Sequence, residues 1–176
     1  MANLLPKYAY LNDIKDMPAT ITEALKLYGT KETKGNGNNH VILKWAKELG
    51  IRDYNMDSIP WCGLFAAVVC SRAGQDVVKN PLWARNWANF GTAVPKAELG
   101  DVLVFVRNGG GHVGFYVGES PTTYHVLAGN QGDAVSIEEI LKSRCVSRRR
   151  PHYDVCPACV KEYHVDAGGH VSTNEA

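Results

Sequence analysis

The spacing of apolar residues predicts helices in the first half of the chain. In residues 40–49 the apolar positions recur along one helical face, and Gly50 follows where a helix would end. Residues 61–73 are apolar nearly all round, with Pro60 before them and Gly74 after them. Because proline is common at helix starts and glycine just past helix ends, this run predicts a central, buried helix.

A third, shorter helix is predicted around residues 82–90. It carries Trp83 and Trp87 four positions apart, and residues at that spacing share one face of a helix. We interpret the pair as core packing and not as an aromatic cage for a ligand.

The second half of the chain changes to the repeat of β-strands. Short runs rich in β-branched and aromatic residues are bounded by Gly, Pro or Asn, at residues 101–106, 112–117, 124–128 and 145–149. The glycines at 109–111 predict a hairpin between the first two runs. Helices followed by an antiparallel meander predict an α+β fold, with the helices on one face of the sheet.

Length and composition place these elements in one globular unit with an appendage. The 176 residues are 45% hydrophobic and carry a net charge of +1. We expect a main domain over residues 1–151 and a separate tail over residues 152–176. The arginines between residues 144 and 150 are too few to predict nucleic-acid binding, and they indicate a solvated last strand.

The chain also lacks the patterns of a membrane or secreted protein. It has no run of about 18 apolar residues, and its first residues contain no basic segment followed by an apolar one. We therefore expect no membrane insertion, and synthesis in the cytoplasm without a signal peptide.

Cys62 is the candidate nucleophile among five cysteines, which are expected to be reduced. Cys70 and Cys145 lie in apolar runs and are interpreted as packing residues. Cys62 instead falls in the first turn of the predicted helix, where the partial positive charge of the helix N-terminus favours a thiolate. A packing role is the alternative for Cys62 as well.

His112 is the best-placed base for such a nucleophile. It begins a strand after three glycines, so that the backbone can turn the imidazole toward a neighbouring helix end. Asn130 ends the next apolar run and would approach and orient His112 if the two strands pair antiparallel. A strand-edge histidine and an ordinary Gly-Asn-Gln-Gly turn are the alternatives.

Several short motifs occur in an order that resembles a known family. They are DSIPWC at 57–62, Pro95 followed by LGDVLVF at 99–105, GHVGFY at 111–116 and GNQGDAV at 129–135. Together they resemble the NlpC-type and CHAP cell-wall hydrolases. GTKE at 29–32 and RRP at 149–151 are similar to the phage and prophage branch, so the likeness spans about residues 20–151.

The resemblance implies a papain-like fold, with N-terminal helices packed on an antiparallel sheet of about four to six strands. It implies a cysteine-dependent peptidoglycan amidase or endopeptidase that cleaves an amide bond in or next to the stem peptide. Cys62 would be the nucleophile, His112 the base and Asn130 the polar partner, with no cofactor required. Many CHAP enzymes have a glutamate at the position of Ala128, so Asn130 would act without a carboxylate.

Further expectations follow from the same resemblance. Trp61, Glu32 and Gln131 would contact the substrate, although Trp61 could equally be core and Glu32 could cap a turn. The protein would be a monomer that reaches bacterial peptidoglycan after release by a holin or another delivery system. A secreted antibacterial toxin with the same chemistry, an inactive cell-wall or partner-binding module, and an intracellular cysteine peptidase are the alternatives.

The tail carries a separate candidate site. Its four ligand-type residues follow the pattern C-x2-C-x4-H-x5-H and are Cys156, Cys159, His164 and His170. Four such ligands would close a tetrahedral structural zinc site. Without a metal, the tail would be held by apolar packing of Tyr153, Val155 and Tyr163.

Overall fold

Helices come first along the chain. The computed structural model describes residues 1–35, 37–168, 170–173 and 175. Its α-helices are α1 (Ala19–Lys26), α2 (His40–Glu48) and α3 (Cys62–Arg72), and its 3-10 helices are Pro6–Asn12, Ala84–Asn89 and Lys142–Arg144. The helices predicted over residues 40–49 and 61–73 are thus confirmed. The helix predicted around residues 82–90 is a six-residue 3-10 helix.

The strands form one antiparallel sheet behind these helices. They are β1 (Thr92–Ala93), β2 (Val102–Arg107), β3 (Gly110–Glu119), β4 (Thr123–Ala128), β5 (Ser136–Leu141) and β6 (Cys145–Arg150). Their order across the sheet is β1-β6-β2-β3-β4-β5. Helices packed on an antiparallel sheet confirm the predicted α+β class, while β1 and β5 were not predicted.

Helix α3 packs on the middle of the sheet, and the sheet separates two apolar clusters. Every residue of α3 from Cys62 to Cys70 is buried, as predicted for a central helix. Val113 and Phe115 of β3 belong to the same core as α3, on what we call the helix face. Phe105 and Tyr116 belong to a second apolar cluster on the other side of the sheet, which we call the second face.

The arginines near the end of β6 are not a solvated row, so that expectation was wrong. β6 lies between β1 and β2, and its side chains are mostly half-buried. Arg150 donates two hydrogen bonds of 2.9 Å to the buried carboxylate of Asp101. Arg144 makes a similar two-bond pair with Glu175. The basic residues therefore balance buried carboxylates within the molecule.

The tail extends along the main domain and joins it by backbone hydrogen bonds. Lys161 accepts one from Leu99 (3.0 Å), and Tyr163 accepts one from Glu119 (2.8 Å). The Tyr163 ring stacks on that of Tyr10 at 5.5 Å, whereas Val155 is exposed. Among the helices of the described residues, none is long and apolar enough to cross a membrane.

Candidate active site

Cys62 lies where α3 meets a surface cavity. It is the first residue of the helix, and its side chain is almost fully buried. The cavity has a volume of about 370 Å³. Its other lining residues are Ile59, Pro60, Leu82, Trp83, Ala84, Arg107 and the glycines 109–111. The thiol is therefore at the wall of a space that can accept a small substrate segment.

Gly63 explains why the cavity wall lies so close to the thiol. A Cβ atom at this position would lie 2.1 Å from the backbone oxygen of Pro81. Only glycine therefore lets the segment that carries Leu82 and Trp83 rest directly on the first turn of α3.

The resting state of Cys62 differs from the sequence-based expectation. Burial raises the pKa of the thiol above its ordinary value. The backbone N–H of Val113, the positive charge of Arg107 and the first amides of α3 lower the pKa, but they do not outweigh burial. Helix-terminal charge thus acts in the predicted direction, and the resting group is a neutral thiol because it is desolvated.

His112 lies on the second face of the sheet. It pairs with Phe105 across β2 and β3, and the two rings are 6.5 Å apart. Its neighbour Val113 points to the helix face, because successive strand residues alternate. In the described part of the chain, no hydrogen bond joins the Cys62 thiol to the imidazole. The pairing of Cys62 with His112 therefore stays a prediction.

Gln131, and not Asn130, contacts the imidazole. The distance from His112 Nε2 to Gln131 Oε1 is 3.1 Å, and both side chains are buried. The Gln131 amide nitrogen donates to the backbone oxygens of Val126 (3.1 Å) and Ser136 (2.9 Å), which turns its oxygen toward the ring. His112 Nε2 must then be the protonated nitrogen. Asn130 occupies the turn with a φ of +58°, in the left-handed region that asparagine tolerates.

Buried charges surround His112 on the second face. Glu175 is 1% exposed and accepts two 2.8 Å hydrogen bonds from Arg144. Burial lowers the pKa of His112 to about 4, against the opposing effects of Glu175 and Gln131. The imidazole is therefore neutral near pH 7, and the lowered pKa also makes it a weaker base.

Arg107 is the charged group common to both candidate residues. It is half-buried at the end of β2, and its Nε donates to the backbone oxygen of Gly111 at 3.1 Å. Its charge lowers the pKa of Cys62 and also that of His112. Arg107 thus favours a thiolate on one face and a neutral imidazole on the other.

Trp61 and Glu32 form a hydrogen bond with each other, and neither lines the cavity. Trp61 is fully buried and packs on Trp45, with ring centroids 6.0 Å apart. Its Nε1 donates to Glu32 Oε2 at 3.2 Å, and burial raises the pKa of this carboxyl group. Trp61 is therefore part of the core, which was the alternative to a contact with the substrate.

Trp83 is a site feature that the sequence analysis missed. Trp87 is buried and donates to Pro81 O at 2.9 Å, as expected for core packing. Trp83 is 74% exposed at the rim of the cavity, so the prediction that both rings pack in the core was wrong for it. The 3-10 turn at Ala84–Asn89 separates two rings that an α-helix would have placed on one face.

The predicted zinc ligands are spread along the tail. Cys159 Sγ donates to Asp16 O at 3.4 Å, and His164 forms a β-bridge with Glu119. Among the described residues, no group of three or more His, Cys, Asp or Glu is placed to hold a metal ion. The structural zinc site stays a prediction.

No family model matches the chain, and no curated protein is significantly similar to it.

Proposed function

We propose that the protein is a papain-like, cysteine-dependent peptidoglycan hydrolase that cleaves an amide bond in or next to the stem peptide. One observation carries the proposal: Cys62 begins a buried helix at the wall of a cavity, beside the backbone of the strand that holds His112. The order of the motifs around Cys62, His112 and Gln131 supports the same chemistry.

The proposed reaction is acyl transfer to sulfur. Neutral His112 takes the proton of the Cys62 thiol, and Sγ attacks the amide carbonyl. Backbone N–H groups at the start of α3 stabilise the oxyanion. The C–N bond then breaks as His112 returns the proton to the leaving amine, and water hydrolyses the thioester. No metal or cofactor takes part in this scheme.

The scheme requires the His112 imidazole, near the start of β3, to reach the Cys62 thiol. His112 follows the glycines 109–111, which have no Cβ atom and therefore allow the backbone a wider range of conformations. Hydrogen bonds between catalytic groups are often long or unmade before substrate binds. In the cell, the enzyme would act on the wall after release by a holin or another delivery system, or as a secreted toxin.

The direct test is digestion of purified peptidoglycan by wild-type, Cys62→Ala and Cys62→Ser proteins. Mass spectrometry would identify new amine and carboxyl ends, which we expect from the wild type alone. Cys70→Ala is the matched control, because Cys70 lies in the same helix but two turns from the cavity. Full hydrolysis by Cys62→Ala would contradict the mechanism.

A non-catalytic wall-binding module is the second candidate. The separation of Cys62 and His112 onto opposite faces of the sheet favours it, as does the raised pKa of the thiol. Sedimentation with insoluble peptidoglycan separates the two proposals. Binding by the wild type without any new chain ends would support the module.

A further inference from the structure

The candidate base is closed off from solvent on the second face of the sheet. The His112 side chain is 1% exposed, although a general base has to meet its substrate. Helix α3 packs on the helix face, so the burial of His112 has to come from another segment. Two residues near the end of the chain are buried beside it, Ser172 at 8% and Glu175 at 1% exposure.

Ser172 is attached to the edge of the sheet. β5 is an edge strand, and the backbone N–H of Ser172 donates to its Glu139 oxygen at 2.8 Å. Ser172 also forms a parallel β-bridge with Ile140, which belongs to the apolar cluster of the second face. The end of the tail therefore adds to the sheet on the side where His112 lies.

Arg144 fastens Glu175 close to His112. Its guanidinium donates two 2.8 Å hydrogen bonds to the Glu175 carboxylate and one of 3.0 Å to the backbone oxygen of Ser172. Its Nε donates to the backbone oxygen of Val106 at 3.0 Å, and Val106 follows the residue that pairs with His112 across β2 and β3. Ser172 Oγ adds a bond of 3.0 Å to Glu175 Oε1.

The charges of Glu175 and His112 act on each other. Glu175 raises the pKa of His112, and His112 lowers the pKa of Glu175. The carboxylate and the imidazole are therefore within electrostatic reach, which agrees with the position that the Arg144 hydrogen bonds give to Glu175.

We propose that Ser172 and Glu175 form a C-terminal anchor that closes access to His112, and that substrate can meet the imidazole only after the anchor is released. The closed state is favoured by charge-assisted hydrogen bonds, which are stronger than neutral ones. It rests on few contacts, so removal of one partner should shift the equilibrium toward the open state. The inhibitory effect rests on the proposed function, whereas closure of access to His112 does not.

Acylation by diethyl pyrocarbonate measures access to the imidazole in the full chain. This reagent reacts with accessible neutral imidazoles, and peptide mapping assigns each acylated histidine. In the wild type near pH 7, we expect His112 to react at least about ten-fold more slowly than His40, which is exposed.

Three variants test the anchor one contact at a time. Glu175→Gln and Arg144→Gln should each accelerate acylation of His112 about ten-fold, because each breaks the charge pair. Ser172→Ala keeps that pair and should accelerate it only about two-fold. Acylation of His40 should stay unchanged. Glu162→Gln is the matched control, since Glu162 makes an exposed ion pair elsewhere in the tail.

Cys70 distinguishes local opening from unfolding. It is 0% exposed in helix α3, so iodoacetamide should alkylate it as slowly in the variants as in the wild type. If Cys70 became reactive together with His112 in all three variants, the proposal would be overturned, because the acylation would report loss of the fold. Equal acylation rates of His112 in wild type and variants would also overturn it.

Hydrolysis of purified peptidoglycan tests the inhibitory effect. Glu175→Gln should release amine ends about three-fold faster than the wild type, as expected when an open state becomes more populated. Faster acylation without faster hydrolysis, in a wild type that is active, would contradict autoinhibition. Selective opening at His112 in a protein that never releases chain ends would support closure by the anchor and contradict the hydrolase. An active enzyme whose His112 is as reactive as His40 would do the opposite.

Discussion

The two faces of the sheet surround β3 with different chemistry. On the helix face, Val113 and Phe115 pack on a helix that is apolar on every side. On the second face, His112 contacts Gln131 and lies in the field of Arg144 and Glu175. Both faces are buried, and the paired charges closest to His112 are on the second.

This difference follows from the alternation of side chains along a strand. A one-residue step from His112 to Val113 exchanges a polar environment for an apolar one. The backbone N–H of Val113 faces the Cys62 thiol, so the strand itself connects the two environments. The thiol thus meets the backbone of β3 one residue after His112, and the two side chains have opposite surroundings.

The largest expected effect concerns the two residues in contact on the second face, His112 and Gln131. His112→Ala should lower hydrolysis of peptidoglycan by about 10³-fold, since general-base catalysis contributes ~10²–10⁴-fold. Gln131→Ala should retain more activity, because Gln131 acts only through the ring. Initial rates of amine release measure both losses.

Asn130→Gly is the matched control for Gln131→Ala, because glycine keeps the positive φ of this turn. We expect a loss smaller than that of Gln131→Ala. If Asn130→Gly were as inactive as His112→Ala, Asn130 would be the orienting residue after all.

Glu175→Gln tests whether the charges of the second face stabilise the fold. The change leaves the guanidinium of Arg144 without its buried carboxylate, which should lower the free energy of unfolding by about 3 kcal/mol. Urea titration of the full chain measures this loss.

Glu162→Gln serves as its control in the tail. Glu162 pairs with Lys96 at 3.6 Å on the exposed surface, so its loss should cost less than about 0.5 kcal/mol. Similar values for the two variants would mean that burial of the Arg144–Glu175 pair brings no added stability.

The lowered pKa of His112 predicts a pH dependence of stability. An unfolded histidine has a pKa of about 6.5, whereas the folded one titrates at about 4, so the unfolded state binds more protons between these values. Stability should therefore fall by about 3 kcal/mol as the pH falls from ~6.5 to ~4. The difference between wild type and His112→Gln across this range isolates the effect. If the difference in stability between wild type and His112→Gln did not change with pH, the His112 imidazole would be exposed to water and not buried.

The smallest expected effect involves both faces at once. Arg107→Gln removes a positive charge that lowers the pKa of Cys62 and of His112, so both values should rise. Alkylation of Cys62 by iodoacetamide at pH 8 should slow by about three- to ten-fold, since only the thiolate reacts. Peptide mapping distinguishes alkylation of Cys62 from alkylation of the exposed Cys156. NMR titration of His112 should show the second shift, and a fall in either pKa would contradict this assignment.

Local sequence patterns were sufficient to predict the elements that rest on one continuous signal. Helix α3 has a proline before it, a glycine after it and an unbroken apolar run between them. Strand β5 was missed because Glu138 and Glu139 interrupt its apolar alternation. The buried Glu139 is paired with Lys7 at 2.7 Å, a contact between residues 132 positions apart that no local pattern contains.

In the candidate site too, only the residues marked by a local sequence pattern were predictable. The position of Cys62 at a helix start follows from the sequence, and so does His112 in a strand beside a glycine turn. Gln131 and Asn130 are neighbours in one turn, and the backbone conformation of Asn130 decides which side chain reaches the ring. The pairing of Arg144 with Glu175 depends on tertiary packing, so it could not be read from either segment.

Because Glu175 is added late in synthesis, the second face is completed only after most of the chain has been made. Ribosomes extend chains at ~5–20 residues per second, so Glu175 is added roughly 3 to 13 s after His112. A chain that lacks Glu175 can still pack α3 against β2–β4, while Arg144 and His112 are without this carboxylate. A released chain shortened to residues 1–170 should therefore fold around Cys62 without a native environment for His112.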